Sequence, residues 1–225
     1  MEKVLLLIDD GKDQEKVLDN IKSKLEKDSI NLTNIYINPI DREFWNKSRD
    51  PDLSILIDKI QHKTRSLKPN LVVVDQYYGD TSFSGLNVIS ELRKIKKFKK
   101  STFFLISGRR DKIVRDIFEV GSDSSKVTEL VKLLGLKIEQ FLDKEFKGEA
   151  INILKKDNID EILPQKLRSH EKGNITIHQF SPKYRSLTFE ELADKIDEGD
   201  QEVSSILDEL FDMTLSHYAN IDEEL

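Results

Sequence analysis

The apolar positions of this chain follow two alternating patterns. Val4-Leu5-Leu6-Leu7-Ile8, Leu71-Val72-Val73-Val74 and Thr102 to Ser107 are nearly unbroken apolar runs, the pattern of parallel strands buried on both faces. Asn31 to Asn38 and Lys137 to Leu142 read as two further strands. Between them the spacing becomes helical: Val17, Leu18, Ile21 and Leu25, then Leu53, Leu56, Ile57 and Ile60, then Leu86, Val88, Ile89, Leu92 and Ile95 after Gly85. Helices are also expected at 111–120, at 125–134 and from about Gly148. Residues 39–51 carry Pro39, Pro51 and mixed charge and read as a long loop. Five strand–helix alternations over residues 1–157 predict an α/β domain with a doubly wound, five-stranded parallel sheet covered by helices on both faces.

The rest of the chain is patterned differently. Residues 158–182 read as a linker with a short strand at Asn174 to Gln179, and 183–225 as a small helical module. Within the module Thr188 is placed to cap a helix that opens with Glu190-Glu191, and Val203 to Leu210 is a second amphipathic stretch. The spacing of the two resembles a helix-turn-helix. A recognition helix, however, needs cations for phosphates, and no Lys or Arg occurs between Asp197 and Ser216. Nucleic acid is therefore not the expected partner. The stripe Leu207, Leu210, Phe211 and Leu215 is read as a surface for a downstream protein or for homodimerisation.

Composition narrows the chemistry. The 225 residues, 37% hydrophobic, suffice for a real core, and a net charge of −6 gives no chain-wide attraction to nucleic acid or anionic lipid. With no apolar run of membrane-spanning length and no charged-then-apolar leader, a cytoplasmic location is expected. The absence of cysteine removes disulfides, thiolate metal sites and thiol nucleophiles. The four histidines lack metal-ligand spacing. The basic run from Arg93 to Lys100 follows a helix, where cations favour the negative pole, and reads as a solvated face.

Chemistry-bearing groups gather at the strand ends. Asp9-Asp10 follow the first strand, Asp75 closes the third, Ser107-Gly108 follow the fourth and Lys144 follows the fifth. In open α/β sheets the ligand crevice lies at the carboxyl ends of the strands, so three carboxylates, a hydroxyl and an ammonium should meet there. Each has an ordinary alternative: Asp9-Asp10 could cap the next helix, Asp75 and Ser107 could be turn residues, Lys144 could be a solvated lysine and Phe141 a core residue.

On these residues, Leu6-Leu7-Ile8-Asp9-Asp10, Val72-Val73-Val74-Asp75, Leu105-Ile106-Ser107-Gly108 and Phe141-Leu142-Asp143-Lys144-Glu145-Phe146, the chain resembles the receiver domain of two-component response regulators over about residues 1–157. The resemblance implies an acceptor in a phosphorelay and not an enzyme. Asp75 would take the phosphoryl group from a histidine kinase or phosphotransfer protein. Mg2+ would be held by Asp10, Asp75 and the backbone carbonyl of Tyr77, with Asp9 acting through water. Lys144 and Ser107 would contact phosphoryl oxygens, and Phe141 would be the switch aromatic. Two departures stand out: Gly79-Asp80-Thr81-Ser82 replaces the family's proline-containing turn, and Glu145 stands where the family has proline. The alternatives are an adaptor that keeps the fold without phosphorylation, and a DNA-binding regulator with an atypical C-terminal helix-turn-helix.

Overall fold

The apolar runs form a single parallel sheet of five strands, β1 (Glu2–Ile8), β2 (Asn31–Ile37), β3 (Leu71–Asp75), β4 (Thr102–Ile106) and β5 (Gln140–Leu142), in the order β2-β1-β3-β4-β5. The computed structural model describes residues 2–109, 112, 115, 123–156, 159–169 and 187–198. It divides the chain into two units, Met1–Lys156 and Asp157–Leu225. The sheet lies wholly in the first.

Side-chain alternation along each strand supplies both layers of the core. From β1, Leu6 and Ile8 pack with Leu56 and Ile60 of α2 (Leu53–Lys63) and with Val88, Ile89 and Leu92 of α3 (Gly85–Lys94). Leu5 and Leu7 point the other way. They pack with Leu18, Ile21 and Leu25 of α1 (Gln14–Glu26) and with Ala150, Ile151 and Leu154. A strand buried on both faces cannot alternate apolar with polar, which is why these strands read as continuous apolar runs. Helix α4 (Asp123–Gly135) precedes β5, and α5 (Lys147–Lys155), which carries Ala150, Ile151 and Leu154, follows it.

Three segments depart from the sequence reading. The 39–51 segment is more ordered than a plain loop: it contains a 3-10 turn, Arg42–Phe44, and an antiparallel bridge between Trp45 and Pro51. Phe44 anchors it by full burial in the α2–α3 layer. Strand β5 starts at Gln140, because Lys137 has φ 50° and so cannot extend the ladder. In the basic run, Arg93 and Lys97 turn inward onto backbone carbonyls and do not form a solvated face. The helix expected at 111–120 falls mostly outside the described residues.

In the second unit, the segment expected as a linker includes helix α6 (Ile159–Ser169), with Pro164 inside it. Helix α7 (Phe189–Glu198) begins as its sequence predicts, with a capping box. The Thr188 hydroxyl accepts from the Glu191 amide at 3.1 Å while Glu191 Oε2 accepts from the Thr188 amide at 2.8 Å. Arg168 joins α6 to Asp194 and Asp197 of α7. The 174–179 strand and the stripe Leu207, Leu210, Phe211 and Leu215 lie outside the described residues. No helix among the described residues is long and apolar enough to cross a membrane.

Candidate functional site

In a sheet ordered 2-1-3-4-5, the connections leaving β1 and β3 run to opposite faces, and the space between their carboxyl ends opens as a crevice. Asp9 and Asp10 leave β1 on one lip of it, and Asp75 ends β3 on the other. Carboxylate oxygens of Asp9, Asp10 and Asp75 all lie within 4.8 Å of one another. Two strands away, Lys144 follows β5 and places Nζ 3.1 Å from Asp75 Oδ2. Its side chain is 52% exposed and that of Asp75 only 3%, so the ammonium closes the crevice from the solvent side.

The lips are held in place locally. Asp9 donates its amide to the Ile37 carbonyl at 3.1 Å, and its Oδ1 accepts from the Gly11 amide. The cap position of α1 is Asp13. Asp9 therefore does not serve as a helix cap, and its bond to Gly11 belongs to a tight turn. At Gly11 a Cβ would sit 2.7 Å from both Asp9 Oδ1 and Gln14 Nε2, so a larger residue would push those side-chain ends aside. On the opposite lip, Asp75 Oδ1 accepts from the Gln76 amide at 2.8 Å. A Cβ on Gly85, the first residue of α3, would collide with the Asp75 carbonyl oxygen, so glycine there lets α3 start directly against the end of β3.

Electrostatically the site is crowded. Asp9 is held above the usual carboxylate range, chiefly by burial, and the charges of Asp75 and Asp10 add to this against the opposing Gly11 hydrogen bond. Burial likewise raises Asp75, although Lys144 works in the other direction. Desolvation pulls Lys144 down, but Asp75, Asp9 and Asp10 together leave it above the ordinary lysine value. Asp9 Oδ2 is buried and has no hydrogen-bond partner. Together with Asp10 and Asp75, this acceptor forms a group of carboxylates that could hold a metal ion. An oxygen-only donor set suits a hard divalent ion such as Mg2+, with water and a further oxygen completing its shell.

The other expected residues surround this centre. Ser107 is fully buried; its hydroxyl accepts from the Arg109 amide at 3.0 Å, and its amide donates to the Leu142 carbonyl. Tyr77 lies two residues beyond Asp75, with Lys112 Nζ 5.5 Å from its ring centre. Phe141 is half-buried against the α2–α3 layer. The bond between Lys144 and Glu145 is trans, as are all peptide bonds of the described residues.

Two tyrosines at the site were not legible in the sequence. The Tyr36 hydroxyl donates to the carbonyls of Asp9 at 3.0 Å and of Gly11 at 3.2 Å. Burial and the carboxylates of Asp9, Asp41 and Asp10 push this phenol to about 12, so it remains a proton donor at neutral pH. Tyr78 is fully buried beside Phe83, and its phenol is raised well above the usual value by burial and by Asp75. In a linear reading both are simply apolar residues of a strand and a loop. Only the place of Tyr36 at the end of an edge strand hints at a reach toward β1.

No family model and no curated protein matches this sequence. Several solved structures do align with it. A sensor protein from Polaromonas sp. JS666 is 14% identical over 68% of this chain and 92% of its own, with a TM-score of 0.39. The Mn(2+)-bound form of response regulator Rcp1 is 15% identical over 68% and 88%, also at 0.39. The signal receiver domain of a DNA-binding response regulator from Colwellia psychrerythraea 34H is 11% identical over 68% and 99%, again at 0.39. By its own strand order and doubly wound layers, the first unit of this chain has a flavodoxin-like fold of the receiver type.

Proposed function

We propose that the first unit is a phosphoacceptor of the response-regulator type, which takes a phosphoryl group on Asp75 and uses the change to alter protein contacts. One observation carries this reading. Three carboxylates with mutually close oxygens share a crevice with an ammonium 3.1 Å from the one that closes β3. Charges of like sign are not gathered at one buried point for stability, since each raises the energy of the others. Their value lies in what they hold.

Phosphoryl transfer to a carboxylate brings two anions together, so it depends on positive charge and on positioning. Asp10 and Asp75 would hold Mg2+ with the Tyr77 carbonyl, Asp9 acting through water. When bound, the ion supplies the charge that lets a phosphorylated donor approach a carboxylate. An Asp75 oxygen attacks phosphorus as the donor's phosphorus–nitrogen bond breaks, and the electron pair leaves on the histidine nitrogen, which takes up a proton. Lys144 neutralises one phosphoryl oxygen. Ser107, already at the rim through Arg109, donates to another and draws the β4 loop inward, a shift that the neighbouring ring of Phe141 follows. The donor would be a histidine kinase or phosphotransfer protein, and the output a protein partner or a second copy of the chain. On this reading the chain is an acceptor and switch, with no free substrate to turn over. The unpartnered Asp9 Oδ2, set among the carboxylates of Asp10 and Asp75, favours this over an adaptor that keeps only the fold.

The test is intact mass after incubation with Mg2+ and phosphoramidate, for the wild type and Asp75→Ala. A single phosphoryl adduct on the wild type that is absent from the variant is expected. An unmodified wild type would remove the phosphoacceptor reading and favour the adaptor.

A further inference from the structure

We infer that Tyr36 is a positioning residue for the cation site, its hydroxyl fixing the turn Asp9-Asp10-Gly11 so that both carboxylates meet the strict geometry of Mg2+. The inference rests on the metal reading proposed above and names a residue that this reading does not contain. Tyr36 lies on β2, paired with Leu7 of β1, and its ring packs partly buried against the layer under α1. From there the hydroxyl crosses one strand spacing, about 4.8 Å, and bonds the carbonyls of Asp9 and Gly11. Those two carbonyls bracket Asp10.

The turn needs an outside hold. Gly11 brings no Cβ into the crowded space beside Asp9 Oδ1 and Gln14 Nε2, but glycine leaves the backbone freer than any other residue. Among the described residues, two other hydrogen bonds restrain it. Asp9 N on Ile37 O fixes only the entrance. Gly11 N on Asp9 Oδ1 occupies an oxygen of the metal-site carboxylate itself. Asp75 lies on the other lip and repels. The Tyr36 hydroxyl restrains the far end of the turn without using an atom that a cation would need.

A neutral phenol adds nothing to the Coulomb attraction for a cation, so its removal should act through geometry alone. Mg2+ demands near-ideal octahedral ligands at about 2.0–2.1 Å, whereas Ca2+ accepts flexible shells at about 2.3–2.6 Å. A loosened turn should therefore penalise the first ion far more than the second. A merely structural tyrosine would affect both alike.

The test is calorimetric titration of the full chain with MgCl2 and with CaCl2, for the wild type and Tyr36→Phe, alongside thermal unfolding without metal. Phenylalanine keeps the packed ring. Mg2+ affinity should fall about tenfold, as is typical when a group that orients a ligand is lost, while Ca2+ affinity stays within about threefold and the fold is retained. Unchanged Mg2+ affinity, or an equal loss for both ions, overturns the inference. Failure of the wild type to bind Mg2+ would instead remove the metal reading beneath it, so the two failures are distinguishable.

Discussion

The two ends of the sheet treat their polar groups in opposite ways. At the amino end, Asn70, Arg93 and Lys97 answer the polar groups around them, although Gln140 Oε1 at the start of β5 has no partner. Asn70 bridges β1 to β4, its Oδ1 accepting from Val4 N at 2.7 Å, its amide donating to Val4 O and its carbonyl accepting from Thr102 N. Arg93 lies over the Phe103 ring at 4.2 Å and donates to the carbonyls of Leu136, Lys137, Lys99 and Ser101. Lys97 closes α2 by donating to the carbonyls of Gln61 and Thr64. At the carboxyl end, Asp9, Asp10 and Asp75 crowd together with Lys144 as the close counter-charge, and a buried oxygen of Asp9 lacks a donor. One end is built for stability. The other gathers like charges around a buried acceptor at the expense of local consistency.

The contrast breaks first at Arg93. Burial lowers its pKa, yet it stays charged because carbonyls surround it. Arg93→Ala removes a ring contact and four donors and leaves half-buried carbonyls between α3, β4 and the segment before β5. The loss should be about 3 kcal/mol, read as roughly 2–4 °C of melting temperature per kcal/mol. A loss below about 1 kcal/mol in urea unfolding would mean that water satisfies those carbonyls and that the amino end is not the stabilising one.

At the other end a substitution should have the opposite sign. In Asp9→Asn the Oδ1 can still accept from Gly11, and the new amide donates toward the neighbouring carboxylates. The metal-free variant should melt a few degrees above the wild type near neutral pH, and should lose the stabilisation that Mg2+ gives the wild type. The pH dependence follows from the direction of the shift. The Asp9 pKa is raised in the folded state, first by burial and then by Asp75 and Asp10. Its protonated form therefore contributes stability that is fully present below the unfolded value of about 3.9 and is lost as pH rises through the folded value. The advantage of the variant should accordingly vanish in acid. An advantage independent of pH would point to packing and not to charge.

The same contrast governs what could be read from the sequence. The carboxyl end was legible because doubly buried strands are continuous apolar runs, and a charge that terminates such a run, as Asp75 and Asp9 do, stands out. The amino end was not. Arg93 and Lys97 belong to a run that reads as solvated, and their inward turn depends on carbonyls contributed by Leu136, Lys137, Gln61 and Thr64, distant in sequence. The 39–51 segment hid its order for a similar reason: Phe44 among charged neighbours shows no period, yet it reaches the core by itself. Pro164 suggested a linker because its missing N–H disfavours a helix interior, but α6 continues through it. Tyr36 was invisible as a tether because its partners are backbone carbonyls on another strand.

The smallest expected effect would sharpen the comparison most. Ser107 at the carboxyl end is fully buried and hydrogen-bonded, its hydroxyl accepting the Arg109 amide while its own amide bonds Leu142. Ser107→Ala removes one neutral hydrogen bond and should lower stability by only about 1 kcal/mol. Its effect on amide exchange should be larger in kind. In the wild type the Arg109 amide is protected by Ser107 Oγ, and phosphorylation of Asp75 should redirect that hydroxyl and speed Arg109 exchange. In the alanine variant Arg109 should exchange fast from the start and not respond to phosphoramidate, although the phosphoryl adduct still forms. If wild-type Arg109 kept its protection in the phosphorylated state, Ser107 would belong with the static groups of the amino end, and movement of the β4 loop would have to begin elsewhere.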